Sequence, residues 1–394
     1  MVPNGWERKP LEKVAEIKTG VAKGKKGLKD PIEVPYLRVA NVQDGHIDLS
    51  EVKTIQIERH QLERYSLQVG DVLMTEGGDF DKLGRGDVWQ GQIVPCLNQN
   101  HVFAVRPNKQ VLLPYFLAAL SGSNYGKTYF LSCAKRSTNL ASINSTQLKE
   151  FPVLLPPLPE QRKIAKILST WDRSIATTKK LIDASKQQKK ALMQQLLTGN
   201  KRLIDPETGK AFEGKWENTH LSNIASIKKG KALSAKNLVA GSYPVIAGGK
   251  SSPYSHVDFT HENVITVSAS GAYAGYVSYH PYKIWASDCS VVTAKPANYL
   301  GFIFQWLQLN QIRIYSMQSG GAQPHIYPKD LEVMKLRVPK IEEQQKIASV
   351  LTAADKEIEL LEAKLVLFKQ EKKALMQQLL TGKRRVKVAE TEAA

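Results

Sequence analysis

Apolar residues recur along two stretches of the chain with the spacing of a helical seam. Ile164, Leu168, Trp171, Ile175, Thr178, Ile182, Ser185, Lys189, Leu192 and Leu196 step by alternating fours and threes, uninterrupted by Gly or Pro. A second stretch repeats the pattern at Ile347, Leu351, Ala354, Ile358, Leu361, Leu365, Phe368, Lys372, Leu375 and Leu379. Prolines precede each seam (Pro156, Pro157 and Pro159; Pro339) and Thr-Gly follows it (Gly199, Gly382), which are start and stop signals for helices. At 1.5 Å per residue each helix is roughly 60 Å long. A stripe of that length needs a similar stripe to cover it, and two matched stripes in one chain make an antiparallel pair the simplest closure.

Outside the seams the pattern shortens. Apolar or alternating runs at 34–42, 70–75, 101–106, 264–268 and 289–294 predict strands, separated by Gly, Asn and Asp. Short helices are predicted at 11–17, 114–120 and 300–309 and just before each long helix. Residues 201–215, with Asp205-Pro206 and Gly209, read as a linker, and 384–394 as a charged, frayed tail.

The halves of the chain repeat one another. KKALMQQLLTG stands at 189–199 and again at 372–382, an offset of 183, and the ungapped alignment of 156–199 with 339–382 holds 22 identities in 44 positions. The starts match at an offset of 210: Trp6-Glu7, Leu11, Ala15, Ile17, Lys18 and Gly20 against Trp216-Glu217, Leu221, Ala225, Ile227, Lys228 and Gly230. The difference of 27 says that the first globular part carries that many extra residues between Gly20 and the region of Ser137. The expected fold is α+β: two mixed α/β domains separated by an antiparallel coiled coil of two long helices, in a pseudo-twofold repeat. The expected boundaries are 1–155, 156–200, 201–338 (with the linker 201–215), 339–383 and the tail 384–394.

Composition narrows the function. The chain has 394 residues, 42% hydrophobic, and 55 Lys plus Arg against 37 Asp plus Glu, a net charge of +18. That excess points to a polyanionic partner, nucleic acid first. It is spread over both halves: residues 1–159 carry +4, 160–200 +6, 201–342 +6, 343–383 +1 and the tail +1. The most apolar stretch, 111–120, is short and holds Pro114, so no membrane span is expected, and the start of the chain has no apolar signal core. Three scattered cysteines, Cys96, Cys133 and Cys289, suit a reducing, cytoplasmic setting and do not form a zinc site.

No catalytic motif is present: no phosphate loop, HExxH, GxSxG or kinase signature. No catalytic residue and no metal ligand is therefore assigned. The acidic residues Glu76, Asp79 and Asp81 share one loop that either holds a cation, is solvated, or accepts from cytosine amines. His261 and His325 read as structural or surface histidines. The basic residues have a clearer layout. Lys23, Lys25, Lys26 and Lys29 follow Lys18 in a Gly-interleaved cluster, and Lys228, Lys229, Lys231 and Lys236 occupy the equivalent place in the second half. These are candidate phosphate contacts. Candidate base-reading loops carry Arg85, Lys135, Arg136 and Asn139 in the first half and Ser270, Tyr273, Tyr276, Gln318 and Gln323 in the second, since amides, hydroxyls and Arg read base edges.

The run VPYLRVANV (34–42), then LLPPLPEQRKIA (154–165), then the repeated ALMQQLLTG resembles the DNA-specificity (S) subunit of type I restriction-modification systems. The likeness spans nearly the whole chain, and Arg38 and Asn41 of the first run join the candidate DNA contacts. The second half has Ser242, Tyr243, Pro244, Val245 and Ile246 instead, so no role passes to it from Asn41. The resemblance implies two target-recognition domains, each reading one half of a split asymmetric double-stranded DNA target. It implies helices that dock two methyltransferase subunits, further restriction and motor subunits, and no activity or cofactor in this chain, with S-adenosylmethionine, ATP and Mg expected in the partner subunits. Two other readings stay open on the residues alone: an enzyme with an unrecognised site, and a coiled-coil adaptor that binds only proteins.

Overall fold

The computed structural model describes every residue except 1, 25–26, 81, 139, 251–252, 322 and 389–394. The chain divides into two compact units, Met1–Lys179 with Lys364–Ala394, and Lys180–Ala363. Each long helix has 39 residues, Leu158–Leu196 and Ile341–Leu379, and gives one part of its length to each unit. All twenty seam positions are buried or half-buried, as a continuous apolar stripe requires.

In the first unit the seam packs Ile164, Leu168 and Leu379 into a core with Leu11, Phe103, Phe116, Phe130 and Phe151. Trp171 meets Phe368 edge to face at 5.5 Å, and Lys372 of one helix pairs with Asp172 of the other. In the second unit Ile347, Leu351, Met193 and Leu196 join Phe302, Trp306 and Ile326. There Lys189 pairs with Asp355, and Lys186 reaches Glu362 at 2.6 Å. Within this unit, partners rise in number on one helix as they fall on the other, so the two segments run antiparallel.

Both units use one sheet plan. In the first, Ala15–Thr19, Val102–Pro107, Val72–Thr75 and Gly86–Val88 form a four-stranded antiparallel sheet in that order. In the second, Ala225–Lys229, Cys289–Ala294, Val264–Ser268 and Val277–His280 do the same. A helix, Pro114–Gly122 or Leu300–Leu309, buries Phe116 and Leu117 or Phe302 and Ile303 in the core beneath it. A parallel strand pair flanks each sheet: Pro31–Leu37 with Leu97–Asn98, and Tyr243–Ile246 with Trp285–Ala286. The registers set Thr75 against Ser268, Val102 against Cys289 and Ser142 against His325. Of the 27 extra residues of the first unit, seventeen then lie between Gly20 and Thr75, six between Thr75 and Val102, and four between Val102 and Ser142.

Three expectations are corrected. Residues 11–17 are not a helix: Leu11–Lys13 make one 3-10 turn and Ala15–Thr19 is a strand, because pairing with Val102–Pro107 outweighs a short helical pattern. The strand expected at 34–42 stops at Leu37 and turns through a 3-10 segment, Val39–Asn41. The segment from 384 is not simply frayed, since the Arg385 guanidinium holds Glu160 at 2.7 Å and Val386 packs on the first core.

Candidate nucleic-acid interface

The glycines that end the edge strands within the basic clusters are fixed by close backbone approach. A Cβ on Gly20 would lie 2.0 Å from the Asn98 carbonyl, and one on Gly230 would lie 2.4 Å from that of Ser287. Each glycine lets the edge strand run beside the parallel pair before the Lys-rich loop departs. Lys23, Lys29, Lys228, Lys229, Lys231 and Lys236 are all exposed. Lys23 lies over the Tyr36 ring at 5.8 Å and Lys231 over Trp285 at 5.2 Å, which steers their ammonium groups along an aromatic surface. Lys25, Lys26, Asn139, Asp81 and Ala322 lie outside the described residues.

In the second unit five loops converge on one face. The Asp288 carboxylate accepts from the Ser270 hydroxyl, and Ser270 bridges to His325, which stacks on Tyr327 at 6.0 Å. The Tyr327 ring lies 5.7 Å from both Lys229 and Lys329. Lys250 sits over Tyr273 at 5.3 Å and over Tyr276 at 5.5 Å. Thus Lys229, Ser270, Tyr273 and Tyr276 of the sequence candidates come together, joined by Lys250, Asp288, Tyr327 and Lys329, which the sequence pattern did not single out, and by His325, read there as a structural or surface histidine. Gln318 anchors this face by donating to the Ala274 carbonyl at 2.7 Å. Gln323, exposed, closes on Gly320, whose φ is +94°.

The first unit presents a different set on the same frame. Lys135–Arg136 pairs with Ala141–Ser142, which pairs in turn with Gly77–Gly78. Arg136 donates to the Leu131 carbonyl at 2.6 Å and Lys135 is exposed. Glu76 is held by His101 at 2.7 Å and Asp79 by Lys82, and the described residues contain no group of three or more metal-ligating side chains. Arg85 donates to Gln43 at 3.1 Å, and Arg38 reaches the Glu51 carbonyl at 3.2 Å. Asn41 serves as an anchor of its own loop. It is buried, both N–H groups of its side-chain amide donate to the Asp48 and Glu51 carbonyls, and its side-chain carbonyl accepts from the Arg38 N–H.

Residues 3–186 and 213–367 match the family described as type I restriction modification DNA specificity domain. The chain belongs to this family. It is 30% identical to a putative type I restriction enzyme MjaX specificity subunit of Methanocaldococcus jannaschii, across 98% of this chain and 95% of that protein. The MjaVIII specificity subunit of the same organism is 26% identical over 90% of this chain and 86% of its own length. The S subunit of a type I restriction-modification system from M. genitalium has the same fold, with a TM-score of 0.65 at 16% identity, covering 96% of this chain and 97% of that one. No helix among the described residues is long and apolar enough to cross a membrane.

Proposed function

We propose that this specificity subunit directs methylation and restriction to a bipartite, asymmetric DNA sequence. One observation carries the reading: two copies of one sheet frame, matched strand for strand in register, bear unlike side chains on their loop faces. Residues 1–155 and 201–338 act as the two target-recognition domains, each reading one half-site. The exposed Lys residues of both basic clusters hold phosphates, while Lys135, Arg136, Ser270, Tyr273 and their neighbours meet bases. The long helices, 156–200 and 339–383, form the antiparallel coiled coil that spaces the half-sites and docks two methyltransferase subunits. Duplicated faces suit two copies of one partner.

The chain itself works without cofactor in the cytoplasm. S-adenosylmethionine belongs to the methyltransferase partners, and ATP and Mg to the restriction and motor subunits. Genome-wide mapping of methylated bases in a host carrying the complex tests the reading. It should return one motif with two unlike halves and an unread gap; a palindromic motif, or none, contradicts it. Inserting one helical turn, about 5.4 Å, into both long helices should widen the gap by one to two base pairs at 3.4 Å per step.

A further inference from the structure

The registers that align the two sheets also align the residues behind the loop faces, and there the units differ in a particular way. Phe103 pairs with Thr19 and Met74; its counterpart Ser290 pairs with Lys229 and Val267. Phe103 is 2% exposed and fills the first core beside Ile143. At the matching place in the second unit lies a cavity of about 230 Å³, lined by Ser290, Ile326, Lys229, Asp288, His325 and Tyr327. The Ser290 hydroxyl is buried and, among the described residues, has no hydrogen-bond partner. A buried hydroxyl left unpaired costs stability, as does a cavity in place of a phenyl ring.

The fold does not require a serine here, because the first unit builds the same strands with the buried Phe103 ring at this position. Ile143 and Ile326 match, as do Gly20 and Gly230, so the frame is kept. Yet Thr19, His101, Ser142 and Asn144 of the first unit stand where the second has Lys229, Asp288, His325 and Tyr327. Every polar or charged side chain around the cavity has therefore changed between the copies while its backbone position has not. A serine hydroxyl donates or accepts, and both base-edge amines and base-edge carbonyls satisfy it.

We propose that this cavity is the reading pocket of the second recognition domain, and that Ser290 is a specificity-determining residue whose hydroxyl bonds a base edge directly or through one water. The inference rests on the DNA-reading function proposed above and adds the residue that sets half of it. Lys229 and Lys329 hold the adjoining phosphates, the Ser270–Asp288 pair fixes the rim, and the stacked His325 and Tyr327 form one wall.

The test uses the full chain assembled with its methyltransferase subunits, carrying Ser290→Ala or Ser290→Phe, with methylated motifs mapped for each. Ser290→Ala removes the hydroxyl alone; Ser290→Phe restores the ring of the first unit and closes the cavity. Discrimination should fall by about tenfold or more at one or more positions of a single half-site, as loss of one base contact does, with the other half-site read as before. A folded Ser290→Ala assembly that returns the parental motif overturns the proposal, as does relaxation of both halves alike. Ser290→Ala decides the question if Ser290→Phe fails to fold. A parental assembly that methylates no motif would instead sink the DNA-reading function itself.

Discussion

The Arg385 guanidinium forks onto the Glu160 carboxylate, with both contacts at 2.7 Å, and Arg202 does the same to Glu343 at 2.6 and 2.7 Å. The two pairs are related by the offset of 183. Each glutamate is buried and takes a third bond from an indole N–H, of Trp6 at 3.1 Å or Trp216 at 3.3 Å. Each arginine lies just past the end of one long helix and closes on the first turn of the other. The repeated Thr-Gly makes the turn possible: Gly199 and Gly382 have φ of +75° and +66°, and each packs against the same tryptophan.

Losing either arginine strands a buried carboxylate. Arg202 is 25% exposed and Arg385 45%, so water can replace the second more easily. Arg202→Ala should cost about 3 kcal/mol, and Arg385→Ala distinctly less, as read from urea midpoints. Equal losses would show that exposure does not grade the two clasps.

The seam residues should follow their depth. Leu351 is fully buried beside Phe302 and Ile303, and Leu351→Ala should lower stability by roughly 2–5 kcal/mol. Leu361 occupies the same stripe but is only half-buried, so Leu361→Ala should cost less than half as much. Thermal melts of the two variants side by side check the order, and a larger loss at Leu361 would contradict it.

Asp355 carries more than its counterpart Asp172. Besides Lys189 it accepts from the buried Gln305 amide at 2.9 Å, whereas Asp172 faces a cleft lined by Ala118 and Ala119. Asp355→Asn should destabilise by about 1.5–3 kcal/mol, the range for hydrogen bonds to a charged group. Asp172→Asn, whose pair is more exposed, should cost under about 1 kcal/mol. Chemical denaturation of the two variants compares them directly.

For the phosphate contacts the readout is salt. Lys228→Ala with Lys236→Ala removes two exposed cations from the second basic cluster, one on the edge strand and one beyond it. DNA affinity should weaken on every sequence alike, and the slope of log K against log salt should flatten by about 2. A loss confined to one DNA sequence would assign these residues to base reading instead.

The sequence carries the frame of this molecule more plainly than its reading face, for a physical reason. Long seams such as Ile164 to Leu196 obey one local rule, burial of a stripe, so spacing alone reveals them. Strands Val264–Ser268 and Cys289–Ala294 were legible to the residue because they are short, mostly buried runs rich in β-branched residues, set off by Asn, Gly and Asp on either side. Strand Ala15–Thr19 was misread because its conformation is set by a partner more than eighty residues away. The face that gathers Lys250, Asp288, His325 and Tyr327 draws these four from three separate loops, and no spacing along the chain brings them together. Asn41 shows the converse, a polar residue in a recognisable run whose side chain bonds its own loop.

His280 gives the second unit an acid response. Its ring is buried against Thr266, with Nε2 2.9 Å from the hydroxyl, and burial pushes its pKa from 6.5 down to about 4. Between those values the unfolded chain binds a proton that the folded unit refuses, so stability rises with pH across this window. It is complete above pH 6.5 and is lost as the pH falls toward 4. His280→Gln keeps a hydrogen-bonding partner for Thr266 but does not titrate. Urea midpoints at pH 7.5 and 5 should therefore differ less in His280→Gln than in the parent, by up to about one proton's worth of slope. An unchanged difference would mean that His280 is protonated at no cost in the folded unit.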